Sequence, residues 1–103
     1  MHIQPSTRNL LLFGNGHTEY KEQLIMLKQD SIGMAERDLV IIFVQNESEY
    51  KTYDVEPNKF TLLLIGKDGG EKLRSTKPVK TEAIFKLIDS MPMRQAEMSN
   101  KKN

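Results

Sequence analysis

The run Leu39-Val40-Ile41-Ile42-Phe43-Val44 constrains this chain more than any other feature. Six consecutive apolar residues, mostly β-branched and without polar alternation, read as a strand buried on both faces inside a sheet. Asn9-Leu10-Leu11-Leu12-Phe13, closed by Gly14-Asn15-Gly16, reads as a second such strand, with a turn of buried helix as the alternative. Between them, Thr18 is placed to cap a helix with Glu19 and Glu22 in its positive first turn. Tyr20, Leu24, Leu27 and Ser31 recur at spacings of four, three and four. That spacing predicts a helix from about Glu19 to Ile32, stopping at Gly33 as a left-handed C-cap. Strand, helix and strand within 36 residues make a βαβ unit with a right-handed crossover.

The second half has a different rhythm. Gln45 to Lys59 is polar, with room for a short helical turn around Glu47–Tyr50. Phe60–Ile65 is a third strand, and Lys67-Asp68-Gly69-Gly70 a hairpin turn, because Asp-Gly supplies the positive φ angles tight hairpins need. Glu71–Arg74 returns as a short charged strand, as edge strands tend to be. A helix follows from about Thr81 to Ser90, with Ile84, Leu87, Ile88 and Met91 on one face; Pro92 interrupts it or begins another through about Met98. Residues 1–8 read as a flexible lead-in, 9–98 as one domain and 99–103 as a disordered tail. The order predicts an α/β fold: a thioredoxin-like β-α-β-β-β-α core, with a mixed four-stranded sheet and helices packed on it. A reduced ferredoxin-like or other α/β sandwich is the alternative.

Leu, Ile, Val and Phe supply 27 of the 103 residues, enough for an ordered core. Cysteine is absent, so this chain supplies no thiol nucleophile, disulfide, zinc–thiolate site or iron–sulfur ligand. Residues 1–66 carry net charge −3 and residues 67–103 net +4, a mild polarity without the basic stripe of a nucleic-acid binder. The longest apolar run is six residues, too short to span a bilayer. Met1-His2-Ile3-Gln4-Pro5-Ser6 lacks a signal-peptide pattern.

Two segments carry a resemblance. Leu64-Ile65-Gly66-Lys67-Asp68-Gly69-Gly70-Glu71-Lys72-Leu73 and Ile88-Asp89-Ser90-Met91-Pro92-Met93-Arg94 resemble a bacterial family of domains of unknown function. Its relatives include the P-DUDES repeats of extracellular animal proteins such as equarin. Leu11-Leu12-Phe13 and Glu36-Arg37-Asp38-Leu39 fit the same pattern, so the likeness covers about Asn9 to Met98. It implies a thioredoxin-like fold related to peroxiredoxins and, for many members, a periplasmic or secreted setting; a native start at Met1 would instead mean the cytoplasm. It implies no activity, and leaves Gly66, Lys67, Asp68, Gly69, Gly70, Asp89, Met91, Pro92, Met93 and Arg94 as motif residues without a role.

In a thioredoxin-like fold the reactive cysteines follow the first strand and open the first helix. Here that place holds Gly14-Asn15-Gly16-His17-Thr18-Glu19-Tyr20, so thiol-dependent oxidoreductase chemistry has no nucleophile. N–H groups at a helix start favour an anion, which makes Asn15, Gly16, His17 and Thr18 the candidate anion- or ligand-binding residues. The simpler reading is a turn, a cap and a solvated imidazole. His2 and His17 are the only histidines and show no ligand spacing, so neither metal nor cofactor is expected. Gly66–Gly70 joins strand to strand and lacks phosphate-loop spacing. Met91, Met93 and Met98 form either an adaptable contact surface or the lower edge of the core. Arg94 near Asp89 and Glu97 reads as a local ion pair, worth under ~1 kcal/mol if exposed. Lys72, Arg74, Lys77 and Lys80 read as a solvated edge or a face for an acidic partner. The sequence therefore points to a redox-inactive thioredoxin-like binding or scaffold module with a protein partner or an extracellular matrix-like ligand. The alternative is a cysteine-independent enzyme or an anion site at the Asn15–Thr18 loop.

Overall fold

The computed structural model of the protein describes residues 6–100. In chain order they form β1 (Arg8–Phe13), α1 (Thr18–Lys28), α2 (Ser31–Glu36), β2 (Leu39–Phe43), α3 (Glu47–Thr52), β3 (Thr61–Ile65), β4 (Glu71–Ser75), α4 (Thr81–Asp89) and α5 (Pro92–Asn100). The strands make a mixed four-stranded sheet in the order β2-β1-β3-β4. β1 and β2 run parallel, β3 is antiparallel to β1, and β4 is antiparallel to β3. This is the α/β architecture the sequence predicts, and it is compatible with a thioredoxin-like core.

The unalternated strands are buried because both faces of the sheet are covered. Leu10, Leu12, Leu62 and Leu64 pack beneath the helices with Leu27 of α1, Met34 of α2, and Ile84 and Ile88 of α4. Leu11, Phe13, Leu63 and Ile65 fill the opposite layer with Val44 and Val55. Phe13 meets Tyr50 of α3 there in an edge-to-face contact at 5.0 Å. Gln23 of α1 is fully buried and bonds the main chain ahead of α4: its Nε2 donates to the Val79 carbonyl, and the Val79 N–H donates to its Oε1, each at 2.8 Å.

Several local expectations need correction. β2 is not interior but an edge strand, only half-buried, with Phe43 47% exposed. Its apolar run serves two faces, yet the central positions fall to β1 and β3, every residue of which is buried. The helix expected over Glu19–Ile32 is two helices. Asp30 breaks it, because its Oδ1 accepts the Gly33 N–H at 2.9 Å and starts α2. Gly33 is thus inside α2 and serves packing: a Cβ there would sit 2.5 Å from Phe85 Cε2. Thr18 is the first helical residue; His17 holds the N-cap position and makes no side-chain cap bond. Arg8 belongs to β1, not to the lead-in, and α5 carries Ser99 and Asn100. His2 and the rest of residues 1–5, like 101–103, lie outside the described residues.

Candidate functional site

The sequence-predicted residues separate to the two ends of the sheet. Where β1 ends, Gly14 has φ +93° and donates its N–H to Tyr50 Oη at 2.8 Å. A Cβ on Gly14 would lie 2.6 Å from the Lys59 carbonyl oxygen, so only glycine lets the chain turn there. The turn closes with His17 N–H donating to the Gly14 carbonyl at 3.2 Å, while the His17 carbonyl accepts from Tyr20 at 3.1 Å and Lys21 at 3.3 Å. Asn15, Gly16 and Thr18 are exposed and His17 is half-buried. Together with Lys21 and Leu24 they line an open groove. Among the described residues nothing accepts the N–H of Thr18 or Glu19.

The opposite end gathers the motif segments. Gly69, at φ +84°, turns the β3–β4 hairpin, with Gly66 N–H bonded to the Gly70 carbonyl at 2.9 Å and Gly69 N–H to the Gly66 carbonyl at 3.0 Å. Asp68 Oδ1 accepts from Gly70 N–H at 2.9 Å, and Lys72 Nζ donates to Asp68 Oδ2 at 2.8 Å. The latter bond is the main cause that holds the Asp68 carboxyl below its ordinary value. Lys67 reaches inward, donating to Glu97 at 2.7 Å and Asp38 at 2.8 Å. Burial works against its charge, but those two hydrogen bonds outweigh it and raise its pKa.

Behind the hairpin lies a lattice of ion pairs. Arg8, 1% exposed, clamps Glu97 with Nη1 to Oε1 and Nη2 to Oε2, both 3.2 Å, and donates to the Arg37 carbonyl at 2.8 Å. Arg37 clamps Asp89 through Nε at 3.0 Å and Nη2 at 2.9 Å, with its guanidinium 4.0 Å above the Phe85 ring. Arg94 donates to Asp89 at 3.0 Å and to the Glu36 carbonyl at 3.0 Å, and approaches Glu97 at 3.7 Å. The local pairing of Arg94 with Asp89 and Glu97 expected from sequence is present, and Arg94 is buried rather than exposed. For Glu97, burial alone would raise the pKa; the bonds and charges of Arg8 and Lys67 prevail and bring it down to about 2. The Asp89 pKa is lowered, first by Arg37 and, against burial, also by Arg94.

A cavity of about 250 Å³ opens over this lattice. The hairpin lines it with Gly66, Lys67, Asp68 and Lys72, and the α4–α5 corner with Met91, Pro92 and Met93; Arg8 also reaches it. Met93 is half exposed, while Met91 packs against the core. Of the other motif residues, Gly69 and Gly70 form the hairpin turn, and Asp89 and Arg94 stand in the lattice.

A family described as a domain of unknown function, DUF4174, matches residues 2–97. The chain belongs to the DUF4174 family. Both cavity walls and the Asn15–Thr18 loop fall inside the matched span. No curated protein matches the chain, and no solved structure does.

Sequence reasoning missed two residues of this DUF4174 site. Arg8 falls within the lead-in that the sequence predicts, although it stands only two residues before the apolar run at Leu10. Arg37 stood only as part of a motif. Lys72 and Arg74, expected as a solvated edge, each hold a carboxylate: Arg74 clamps Glu71 at 2.9 and 3.0 Å and also donates to the Tyr53 and Asp54 carbonyls. No helix among the described residues is long and apolar enough to cross a membrane.

Proposed function

We propose that this domain is a binding module working without thiol chemistry, whose ligand is a peptide segment presenting a carboxylate beside an apolar side chain. One observation carries the reading: Gly66–Lys72 and Met91–Met93, separate in sequence, form facing walls of one cavity. Its rim carries Lys67, whose ammonium is held by Glu97 and Asp38, and Lys72, whose ammonium donates to Asp68 and keeps further N–H donors for a ligand carboxylate. Its wall carries the thioethers of Met91 and Met93, which adapt to irregular apolar groups. At about 250 Å³ it suits one or two residues and falls below the usual range for a drug-sized ligand or cofactor. The lattice beneath keeps the walls in register, which limits the ordering cost of binding. A thioredoxin-like fold and kinship with the P-DUDES repeats belong to the same proposal, on the strength of the strand order and the two motif segments.

N-acetyl-leucine, a free carboxylate beside an isobutyl group, is the probe. Amide shifts at residues 66–72 and 93–94 at millimolar concentration, absent with the uncharged N-acetyl-leucine amide, are the expected result. Flat amides throughout, up to tens of millimolar, would overturn the reading.

A second reading, an anion site at Asn15–Thr18, has support from the unpartnered N–H groups of Thr18 and Glu19 beside His17 and Lys21. Glu19 lies in the same first turn and already complements the helix end, which makes this the weaker site. Phosphate titrated in the same experiment separates the two: shifts at residues 15–19 alone move the binding function to the loop.

A further inference from the structure

We propose that the outer edge of β2 pairs with β2 of a second copy, antiparallel and centred on Ile41, joining two sheets into one. Arg8 N–H donates to the Asp38 carbonyl at 2.8 Å, and Val44 N–H to the Leu12 carbonyl at 3.0 Å. With the parallel register of Arg8 on Leu39 and Leu12 on Phe43, these bonds turn the peptide groups of Val40 and Ile42 toward β1. The N–H and C=O groups of Leu39, Ile41 and Phe43 therefore face outward, and among the described residues no strand pairs with them. A two-fold axis at Ile41 sets Ile41 against its own copy and Leu39 against Phe43, so every outward donor meets an outward acceptor. Side chains on one face stay together, with Phe43 delivered to the partner's Leu39.

The two edges of the sheet are built differently. β4 carries Glu71, Lys72 and Arg74 and has a register irregularity at Leu64/Ile65, devices that keep an edge solitary. β2 has neither charge, proline nor bulge. Between Leu39 and Gln45 there is no ionisable side chain, so the dyad brings no like charges together. Beside it lies a groove of about 530 Å³, lined by Leu27, Met34 and Leu39 with the half-exposed Phe43 at its margin, where the second copy's Phe43 would pack. Strand and groove together offer a dozen residues, roughly half of the 20–30 a side in a standard interface. The dimer is accordingly weak, with a dissociation constant of roughly 10–100 µM.

Sedimentation equilibrium of the full chain from 5 to 500 µM tests this. The apparent mass should climb toward twice the monomer value, and Phe43→Lys should hold it at the monomer throughout. Amide exchange of the wild type gives a second measurement that needs no variant. Leu39, Ile41 and Phe43 should gain about 3- to 6-fold protection across that range, as the monomer fraction falls, while Val40 and Ile42 stay protected at all concentrations. A monomeric mass at 500 µM, or self-association with no protection gained at Leu39, Ile41 and Phe43, overturns the proposal. The latter result would move the contact to another surface.

Discussion

At the end of the sheet where β1 and β2 begin, nearly every polar atom is committed: Arg8, Arg37, Lys67 and Arg94 share Asp38, Asp89 and Glu97, and the carbonyls of Gly33, Glu36 and Arg37 take what remains. At the end where β1 stops, the backbone is fixed as firmly, through Gly14 and Tyr50, but Asn15, Gly16 and Thr18 stand in water. Ionic order at one end and glycine geometry at the other teach that side-chain freedom and backbone rigidity are set independently. The committed end has a cavity with a preset wall; the open end has donors without a wall.

That contrast can be broken most forcefully at Glu97. Glu97→Gln leaves the buried Arg8 and the partly buried Lys67 charges without their shared carboxylate, and should cost about 3 kcal/mol by urea unfolding. A cost below ~1 kcal/mol would show that water already screens the lattice. Acid probes the same end. Glu97 falls from its ordinary 4.5 to about 2 on folding, so its contribution is complete above pH 4.5 and is lost as pH drops toward and through 2. With a quarter of the side chain in water, that loss should be on the order of 2 kcal/mol, and Glu97→Gln should lack it. Asp89, also lowered, acts in the same direction.

The open end should fail through its backbone instead. Gly14→Ala combines a positive φ with a carbonyl 2.6 Å from the new Cβ, and should cost about 2 kcal/mol by thermal unfolding, with no change in the acid profile. Gly69→Val at the hairpin meets open space, so only the φ of +84° resists it, and about 1 kcal/mol is expected. His17→Ala should move stability by less than ~0.5 kcal/mol, because its side chain caps nothing. A larger loss would mean that the loop is tied down as tightly as the lattice.

The strand directions and hairpin were legible because apolar runs and Asp-Gly act locally, and α4 because Ile84, Leu87 and Ile88 recur at helical spacing. The strand order of β2 was not, since a fully apolar run looks alike at the centre and at an edge. Nor was the break at Asp30 legible, because the helical spacing of apolar residues runs on past it and the Asp30–Gly33 bond that starts α2 leaves that spacing unchanged. The candidate site was half visible. Its two motif segments could be picked out, but nothing in their spacing told that they face one another or that Arg8 lies beneath them. Long-range ion pairs such as Arg8–Glu97 leave no periodic trace in a sequence.

The paired bonds between Gln23 and Val79 have a consequence for how the molecule opens. A side-chain amide there does the work of a neighbouring strand, holding a stretch that has no ladder of its own. The two bonds share one amide group, so they are released together, and α4 cannot peel from the sheet while its approach is stitched to α1. Loosening at either helix is thereby shared with the other, and the Val79 amide should exchange on the slow clock of the core, in a connecting segment where fast exchange is the rule.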